Sequence, residues 1–524
     1  MTQIAGLEGK MSDHAGYASL LYTDHYQLTM AQAYLQHGLA ERRVRFDAFF
    51  RRAPNYGEHQ AGYAVFAGLE DLLRWMEVAR LSDAQAETLL AVEAGGGRPP
   101  FDERFVEWLR SRREWQGVRV LSVAEGRVIH AEAPFVSVEG PLASVQLLET
   151  ALLNHLNYAT LVATKAARLR RIAGGATVLE FGMRRAQGRA AEAGTRAALI
   201  GGVDASSNVS TSLALGVAPR GTHAHSFVQA FIASGASEAE AFEAFARSYP
   251  DDCVLLLDTV DTLGSGLPNA IATFERLRKR GHEPLGVRLD SGDLAHLAVL
   301  VAKELDAAGF PDARITLSNQ LDELTIWQVR QQVEEEAREQ GLDPQRVLDR
   351  LAYGVGTRLI TSHGAPSLDG VFKLVAVEDG AGWAPSVKRS DTPEKATIPG
   401  AKSLYRVYDA RGMATADLVT VHDERPDPSA EMTLHHPRDA RRRRLPAHEV
   451  SEVEPLLEVV WQDGAATAPS PDLSELRRRR ERDEERLDVG VRRLRNPHRY
   501  HVSLSAGLWR LKREALGDPA PGPA

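Results

Sequence analysis

The chain has 524 residues, 43% of them hydrophobic and 26% charged, with a formal net charge of -8. That length gives two or three domains and a large core, and the charge excludes a general electrostatic pull toward nucleic acid. The single cysteine, Cys253, excludes an intramolecular disulfide and a multi-cysteine zinc site, and no apolar stretch is long enough to span a bilayer.

The first residues lack the basic-then-apolar order of a secretion signal, so a cytoplasmic location is expected. Residues 1 to 15 read as a loose leader. Thr23 to Gln36 has helical spacing, with Asp24 as its cap. Val44 to Phe50 alternates like a strand. Ala61 to Val78 carries an apolar face of Phe66, Leu69, Leu72, Leu73 and Trp75 and predicts a helix. Residues 117 to 140 break valines with glycine and proline, as short strands with tight turns do. A helix is expected to begin near Ser144.

From about 150 to 375 apolar runs alternate with helical patterns. The expected strands are Thr177–Phe181, Leu199–Gly202, Cys253–Leu257, Leu285–Leu289, Arg314–Leu317 and Leu351–Val355. This rhythm belongs to a parallel α/β barrel or a doubly wound sheet. Cys253 beside its apolar run reads as a buried core thiol. After 375 the pattern turns β-like again through Tyr405–Val407 and Leu418–Val421. Arg441–Arg444 reads as a solvated basic loop, Gly464 to Pro471 as a linker, and Leu473 to Leu487 as a charged helix with a wet face. Residues from Gly517 on read as disordered. The divisions expected are 1–150, 151–375, 376–463 and 464–524.

Polar residues recur where the strands end: Gly182-Met183-Arg184-Arg185, Asp204, Asp258, Asp290, Ser318-Asn319 and Gly356-Thr357. In parallel α/β folds functional groups gather at that edge, so one shared site is expected. His225 lies in Gly221-Thr222-His223-Ala224-His225-Ser226-Phe227 and offers a nucleophile or general base. Arg288 can grip a carboxylate or phosphate by its fork. Asp290 can accept from vicinal hydroxyls, and Asp293 has the oxygen chemistry to hold Mg²⁺. A structural salt bridge among these groups is the competing reading. Gly354-Val355-Gly356-Thr357 can cradle a phosphate with its backbone N–H groups. Lys373, Lys388 and Lys395 can neutralise phosphates, and Tyr26 and Phe181 can sandwich a flat ring.

Five segments, in order, resemble nicotinate phosphoribosyltransferases: Tyr22 to Met30, Glu180-Phe181-Gly182-Met183-Arg184-Arg185-Ala186-Gln187-Gly188, Gly221 to Phe227, Val287-Arg288-Leu289-Asp290-Ser291-Gly292-Asp293 and Gly354 to Thr357. Asn496-Pro497-His498-Arg499-Tyr500 also resembles that family. The resemblance implies an irregular parallel α/β barrel with a β-rich second domain built from the N- and C-terminal segments. It implies nicotinate and 5-phosphoribosyl-1-pyrophosphate (PRPP) as substrates, ATP as co-substrate, Mg²⁺, and a homodimer with shared sites. His225 is similar to the histidine that ATP phosphorylates, and Asp258 to the carboxylate that holds its tautomer. Phe181, with Tyr26 from a partner subunit, resembles the ring sandwich. Arg288 and Thr222 resemble the groups at the nicotinate end, Asp204 a position near the pyridine, and Asp290 the ribose acceptor. Gly354, Gly356 and Thr357 resemble the phosphate loop. Arg51, Lys373, Lys388 and Lys395 resemble basic groups sent across the interface. Arg184, Ser291, Gly292, Ser318 and Asn319 complete the expected substrate site. Two departures stand out, a serine-rich Val203 to Ser207 and a charged Arg220 before Gly221.

Three alternatives remain open on the sequence. The same fold can act on nicotinamide. His223 and His225 can bind zinc in a hydrolase. A retained fold can serve a silent binding protein.

Overall fold

The computed structural model describes residues 16–92, 99–112, 115–388 and 397–517. The expected leader and Lys395 lie outside them, as do the last residues from 518 on. The chain forms two compact units, residues up to 161 with those from 367 on, and residues 162–366.

The first unit is β-rich and takes strands from both ends of the chain. One seven-stranded antiparallel sheet runs in the order Trp383–Pro385, Gly370–Glu378, Arg43–Phe50, Val136–Pro141, Arg119–Val123, Leu457–Gln462, Ala465–Ala466. A six-stranded sheet runs Arg442–Leu445, Met432–His435, Val502–Leu504, Ala414–Val421, Lys402–Asp409, Val450–Pro455. Its core joins Val407, Ala416, Leu418, Leu434 and Leu445.

Several expectations change here. Ala61–Val78 is not one helix: Ala64–Val65 is a strand, Gly68 takes φ +96, and the helix starts at Leu69. Asp24 stands before the helix His25–Gln36, yet its carboxylate accepts from Thr150 Oγ1 at 2.8 Å and makes no cap bond. The supposed linker contains the hairpin strand Ala465–Ala466, and the basic run supplies the strand Arg442–Leu445. The helix Leu473–Glu485 is not wet all round, because Arg480 and Asp483 are buried.

Asp483 joins an ion network inside this unit. It accepts from Arg127 Nε at 2.9 Å and Arg406 Nη1 at 3.2 Å. Arg127 Nη1 also donates to Glu454 at 2.7 Å, and Arg406 Nε to Asp417 at 2.8 Å. Tyr500, from the Asn496–Tyr500 motif, donates to Asp417 at 3.1 Å and stacks on His130 at 3.6 Å between ring centres. Burial pushes the His130 imidazole down to about 3. Each buried charge here has partners of opposite sign, as charges removed from water require.

The second unit is built on six parallel strands: β1 (Thr177–Glu180), β2 (Ala205–Ser206), β3 (Val254–Leu256), β4 (Gly286–Leu289), β5 (Arg314–Ser318) and β6 (Leu351–Val355). Their order is β2-β1-β6-β5-β4-β3, and every adjacent pair is parallel. The parallel α/β unit and its β-rich companion match the expected fold class, and among the described residues the edge strands β2 and β3 share no ladder. Short apolar runs buried on both faces suit such strands, and β6 is buried at every residue. Leu199–Gly202 is the exception. Leu199 and Ile200 end the helix α1 (Arg189–Ile200), whose buried face mimics a strand in composition. Cys253 is buried before β3, and burial pushes its thiol up to about 12.

Candidate active site

Parallel strands put all their carboxyl ends on one edge of the sheet, and the loops that follow supply polar groups there. The centre of the cluster is Arg288 on β4. Its Nε donates to Ser318 Oγ at 2.8 Å, Nη1 to Thr222 Oγ1 at 3.0 Å and Nη2 to Asp290 Oδ1 at 2.9 Å. Ser318 Oγ in turn donates to the Asp290 carboxylate and lies 3.3 Å from Leu289 O. The guanidinium is therefore fixed from three sides, and among the described residues these hydrogen bonds use three of its five N–H groups, which leaves others for an anion. The Phe181 ring centre lies 5.6 Å from its Cζ.

Asp290 connects this arginine to His225. Its second oxygen, Oδ2, lies 3.7 Å from His225 Nε2. His225 opens the helix α2 (His225–Ala233), and its side chain is 39% exposed. The other ring nitrogen, Nδ1, lies 3.1 Å from Thr259 Oγ1. This corrects the expected role of Asp258. Its Oδ2 instead accepts from Asp290 N at 3.2 Å and from Ser291 Oγ. The carboxylate, just past β3, orders the turn after β4, while the neighbouring Thr259 meets the imidazole.

His223 is structural. Its Nε2 accepts from Leu256 N on β3 at 3.1 Å, and its Nδ1 lies 3.4 Å from Ala224 O. Phe227, Phe242 and Phe245 pack around the ring. Burial pushes its pKa down to about 4, so the imidazole is neutral near pH 7. Both nitrogens are engaged, and among the described residues no group of three His, Cys, Asp or Glu is placed to hold a metal. The zinc-hydrolase alternative therefore loses its ligands.

Phe181 follows β1 and anchors its N–H on Val355 O at 2.8 Å. Gly354 and Gly356 lie against it. Thr357 is exposed at the start of a single helical turn, Thr357–Ile360. Arg184 is exposed on the 3-10 turn Met183–Arg185. Ser291 and Gly292 form the exposed turn after β4, with Gly292 at φ +78. Asn319, after β5, takes φ +93, a conformation that asparagine tolerates better than most residues.

Two expected residues stand elsewhere or do other work. Asp204 precedes β2, and β2 runs parallel to β1, so it lies at the amino edge, opposite Phe181. There it accepts from Arg170 Nη1 at 2.8 Å and Val178 N at 2.7 Å. Asp293 caps the helix α3 (Leu294–Ala307) through His296 N at 3.2 Å, and it accepts from Gln332 Nε2 at 3.1 Å. That Gln332 bond leads in holding its carboxyl below the usual range.

The remaining expected residues belong to the β-rich unit. Tyr26 is 48% exposed, and Lys373 reaches Glu149 at 3.5 Å. Glu149 also accepts from Gln27 at 3.0 Å. Arg51 lines a recess with Asp47, Glu132, Lys402 and Arg438. Lys388 is exposed, and its backbone N–H donates to Thr397 Oγ1 at 3.4 Å.

Comparison with known proteins fits this arrangement. Residues 21–157 match the nicotinate phosphoribosyltransferase N-terminal domain, 176–411 the family's main segment and 401–512 its C-terminal domain. Nicotinate phosphoribosyltransferase of Bacillus subtilis is 37% identical over 500 residues, covering 95% of each chain. The Homo sapiens protein of that name is 35% identical over 561 residues, covering 96% of this chain and 97% of its own.

The chain belongs to the nicotinate phosphoribosyltransferase family.

The crystal structure of human nicotinic acid phosphoribosyltransferase superposes with a TM-score of 0.78 at 32% identity, covering 94% of this chain and 99% of that one. A nicotinate-nucleotide pyrophosphorylase from Pyrococcus furiosus, at 21% identity and TM-score 0.61, shares the fold. Within this family framework, two side chains escaped the sequence reading. Thr259 meets His225, and Glu180, fully buried, accepts from Thr195 Oγ1 at 3.1 Å, Ser206 Oγ at 2.5 Å and Gly182 N. Glu180 stood inside a quoted motif. The signal available was a carboxylate placed directly before the ring residue and an exacting glycine.

Proposed function

We propose that the protein makes nicotinate mononucleotide and pyrophosphate from nicotinate and PRPP, a step of NAD salvage, with ATP hydrolysis coupled through phosphorylation of His225. The observation that carries this reading is the Arg288 cluster, a guanidinium held by Ser318, Thr222 and Asp290 beside the Phe181 ring. A fixed cation next to an aromatic wall suits a flat acid, because the fork pairs with a carboxylate. A neutral amide gains less from it, which favours nicotinate over nicotinamide.

Displacement at the ribose anomeric carbon passes through an oxocarbenium-like state, as glycoside chemistry does. The protein's task is to align the pyridine nitrogen with that carbon, and Phe181 with Arg288 limits the ring's freedom. Asp290 accepts from a ribose hydroxyl, and Gly356 and Thr357 meet a phosphate. Phosphorylation of His225, whose Nε2 lies 3.7 Å from Asp290 Oδ2, adds negative charge to the site, and hydrolysis removes it. Such a charge step reorganises the phosphate site and then resets it.

The described residues give no cage for a resident Mg²⁺. In this reading Mg²⁺ enters with PRPP as part of the substrate, and no step is assigned to it. A second copy of the chain supplies Tyr26, Arg51, Lys373, Lys388 and Lys395 in a homodimer. The location is cytoplasmic. No helix among the described residues is long and apolar enough to cross a membrane.

Product analysis tests this. Purified protein is given PRPP with nicotinate, nicotinamide or quinolinate, with and without ATP. Nicotinate mononucleotide formed from nicotinate and accelerated by ATP is the expected result. Turnover of nicotinamide in preference overturns the substrate assignment, and inertness toward all three overturns the activity. Label from γ-³²P-ATP in the wild type but not in His225→Ala is expected. Equal label in both removes His225 from the scheme.

A further inference from the structure

We propose that Gly354 and Glu180 are positioning residues for Phe181, so that the first glycine of Gly354-Val355-Gly356-Thr357 serves the ring wall and not a phosphate. The inference rests on the nicotinate reading above. That reading leaves open why β6 carries a glycine at 354, one residue before its end.

The backbone does not require glycine at 354, since its φ lies outside the left-handed region. Space requires it. A Cβ at 354 would stand 2.5 Å from Phe181 Cε2 and 2.6 Å from Cδ2, with Ser318 Cβ at 3.3 Å. Interiors pack at van der Waals distance, so the ring occupies the volume a side chain would fill. Any larger residue must displace the ring, whose centre lies 5.6 Å from Arg288 Cζ.

Glu180 fixes the backbone on both sides of the ring. It belongs to β1 directly before Phe181, and its buried carboxylate accepts from the N–H of Gly182 directly after it. The same carboxylate accepts from Thr195 on α1 and Ser206 on β2. Among the described residues its partners are all neutral donors. A buried carboxylate satisfied only by neutral donors costs stability relative to an apolar side chain. Its retention beside the ring residue is explained if it holds the turn. Gly182 is also exacting, since a Cβ there would stand 2.6 Å from Ile360 Cβ. Phe181 is thus clamped by a tether beneath its backbone and a seat beneath its ring.

The test uses the full-length protein, with steady-state kinetics in nicotinate and PRPP varied separately. Gly354→Ala and Glu180→Gln are each expected to raise KM for nicotinate by about ten- to a hundredfold, the cost of a misplaced binding group. KM for PRPP is expected to stay unchanged. In the double variant Phe181→Ala/Gly354→Ala the alanine at 354 should add nothing to the loss from Phe181→Ala alone, because the clash is gone. If Gly354→Ala does not fold, recovery of a folded protein in the double variant supports the seat, and failure to recover overturns it. A rise in KM for PRPP with that for nicotinate unmoved, or strictly additive losses, also overturns it. Wild-type turnover of nicotinate is measured first. Its absence sinks the functional reading, whereas a crystal structure of Gly354→Ala with the ring unmoved sinks the seat alone.

Discussion

Two arginines, one in each unit, show how similar contacts serve different ends. Arg406 is 2% exposed and gives its donors to Asp417, Asp483 and Val128 O. Arg288 is 16% exposed and gives one bond each to Ser318, Thr222 and Asp290. The first spends four of its five N–H groups inside the protein and ties together segments far apart in sequence. The second is held in place but not used up, and its neighbours His225 and Asp290 are partly open. An arginine–carboxylate pair is therefore no signature of function. What distinguishes the candidate site is residual hydrogen-bonding capacity beside a fixed aromatic ring.

The comparison predicts opposite responses to substitution. Asp483→Ala leaves Arg127 and Arg406 short of a buried counter-charge and should cost about 3–5 kcal/mol of stability. Thermal and denaturant unfolding read this directly, and a loss below 1 kcal/mol, roughly the worth of an exposed pair, breaks the structural half of the comparison.

Acid should act in two stages. Burial holds His223 near 4 and His130 near 3 against an ordinary 6.5. The unfolded chain takes up these protons at higher pH than the folded chain. Their contribution is thus intact above 6.5 and falls as pH drops, by about 1.4 kcal/mol per pH unit and group. It levels off below about 4 for His223 and about 3 for His130. Glu454 behaves differently. Burial raises its pKa, but the Arg127 bond and charge overcome that and hold it near 2 against 4.5. Its contribution is present above 4.5 and is lost as pH falls through 2. Stability measured from pH 7 to 3 should decline from 6.5 downward, and His223→Gln should flatten the slope between 6.5 and 4. An unchanged slope in that variant contradicts a neutral buried imidazole.

His225→Ala should change stability by no more than about 0.5 kcal/mol, as for a surface substitution, while removing any ATP-dependent gain in turnover. Arg220→Ala should do least. Its pair with Asp252, at 3.0 Å, is exposed on both sides and is worth under about 1 kcal/mol.

Much of this was legible in the sequence, for physical reasons that differ by region. Five of the six apolar runs expected as parallel strands are strands, because a strand buried on both faces must be apolar throughout. Leu199–Gly202 misled for the same reason: the inner end of an alanine-rich helix is just as apolar. That error carried Asp204 to the wrong edge of the sheet. Asp290 and Ser318 were legible from their places at strand ends, whereas Thr222 entered only through the resemblance of its motif, and Phe181 and Arg288 were read from their own chemistry and from that resemblance. The exchange of Asp258 for Thr259 at His225 was not, since adjacent residues past a strand differ only in where their side chains point. The buried face of Leu473–Glu485 was hidden because Asp483 finds Arg127 more than 350 positions away.

The sharpest measurement is kcat/KM for nicotinate in the wild type and Arg288→Gln, taken with the melting temperature of each. We expect a fall of about a hundredfold or more, the cost of losing a charged partner for the ring carboxylate, with melting nearly unchanged. Undiminished turnover in a protein that melts well below the wild type would mean that Arg288 braces the sheet end and recognises nothing.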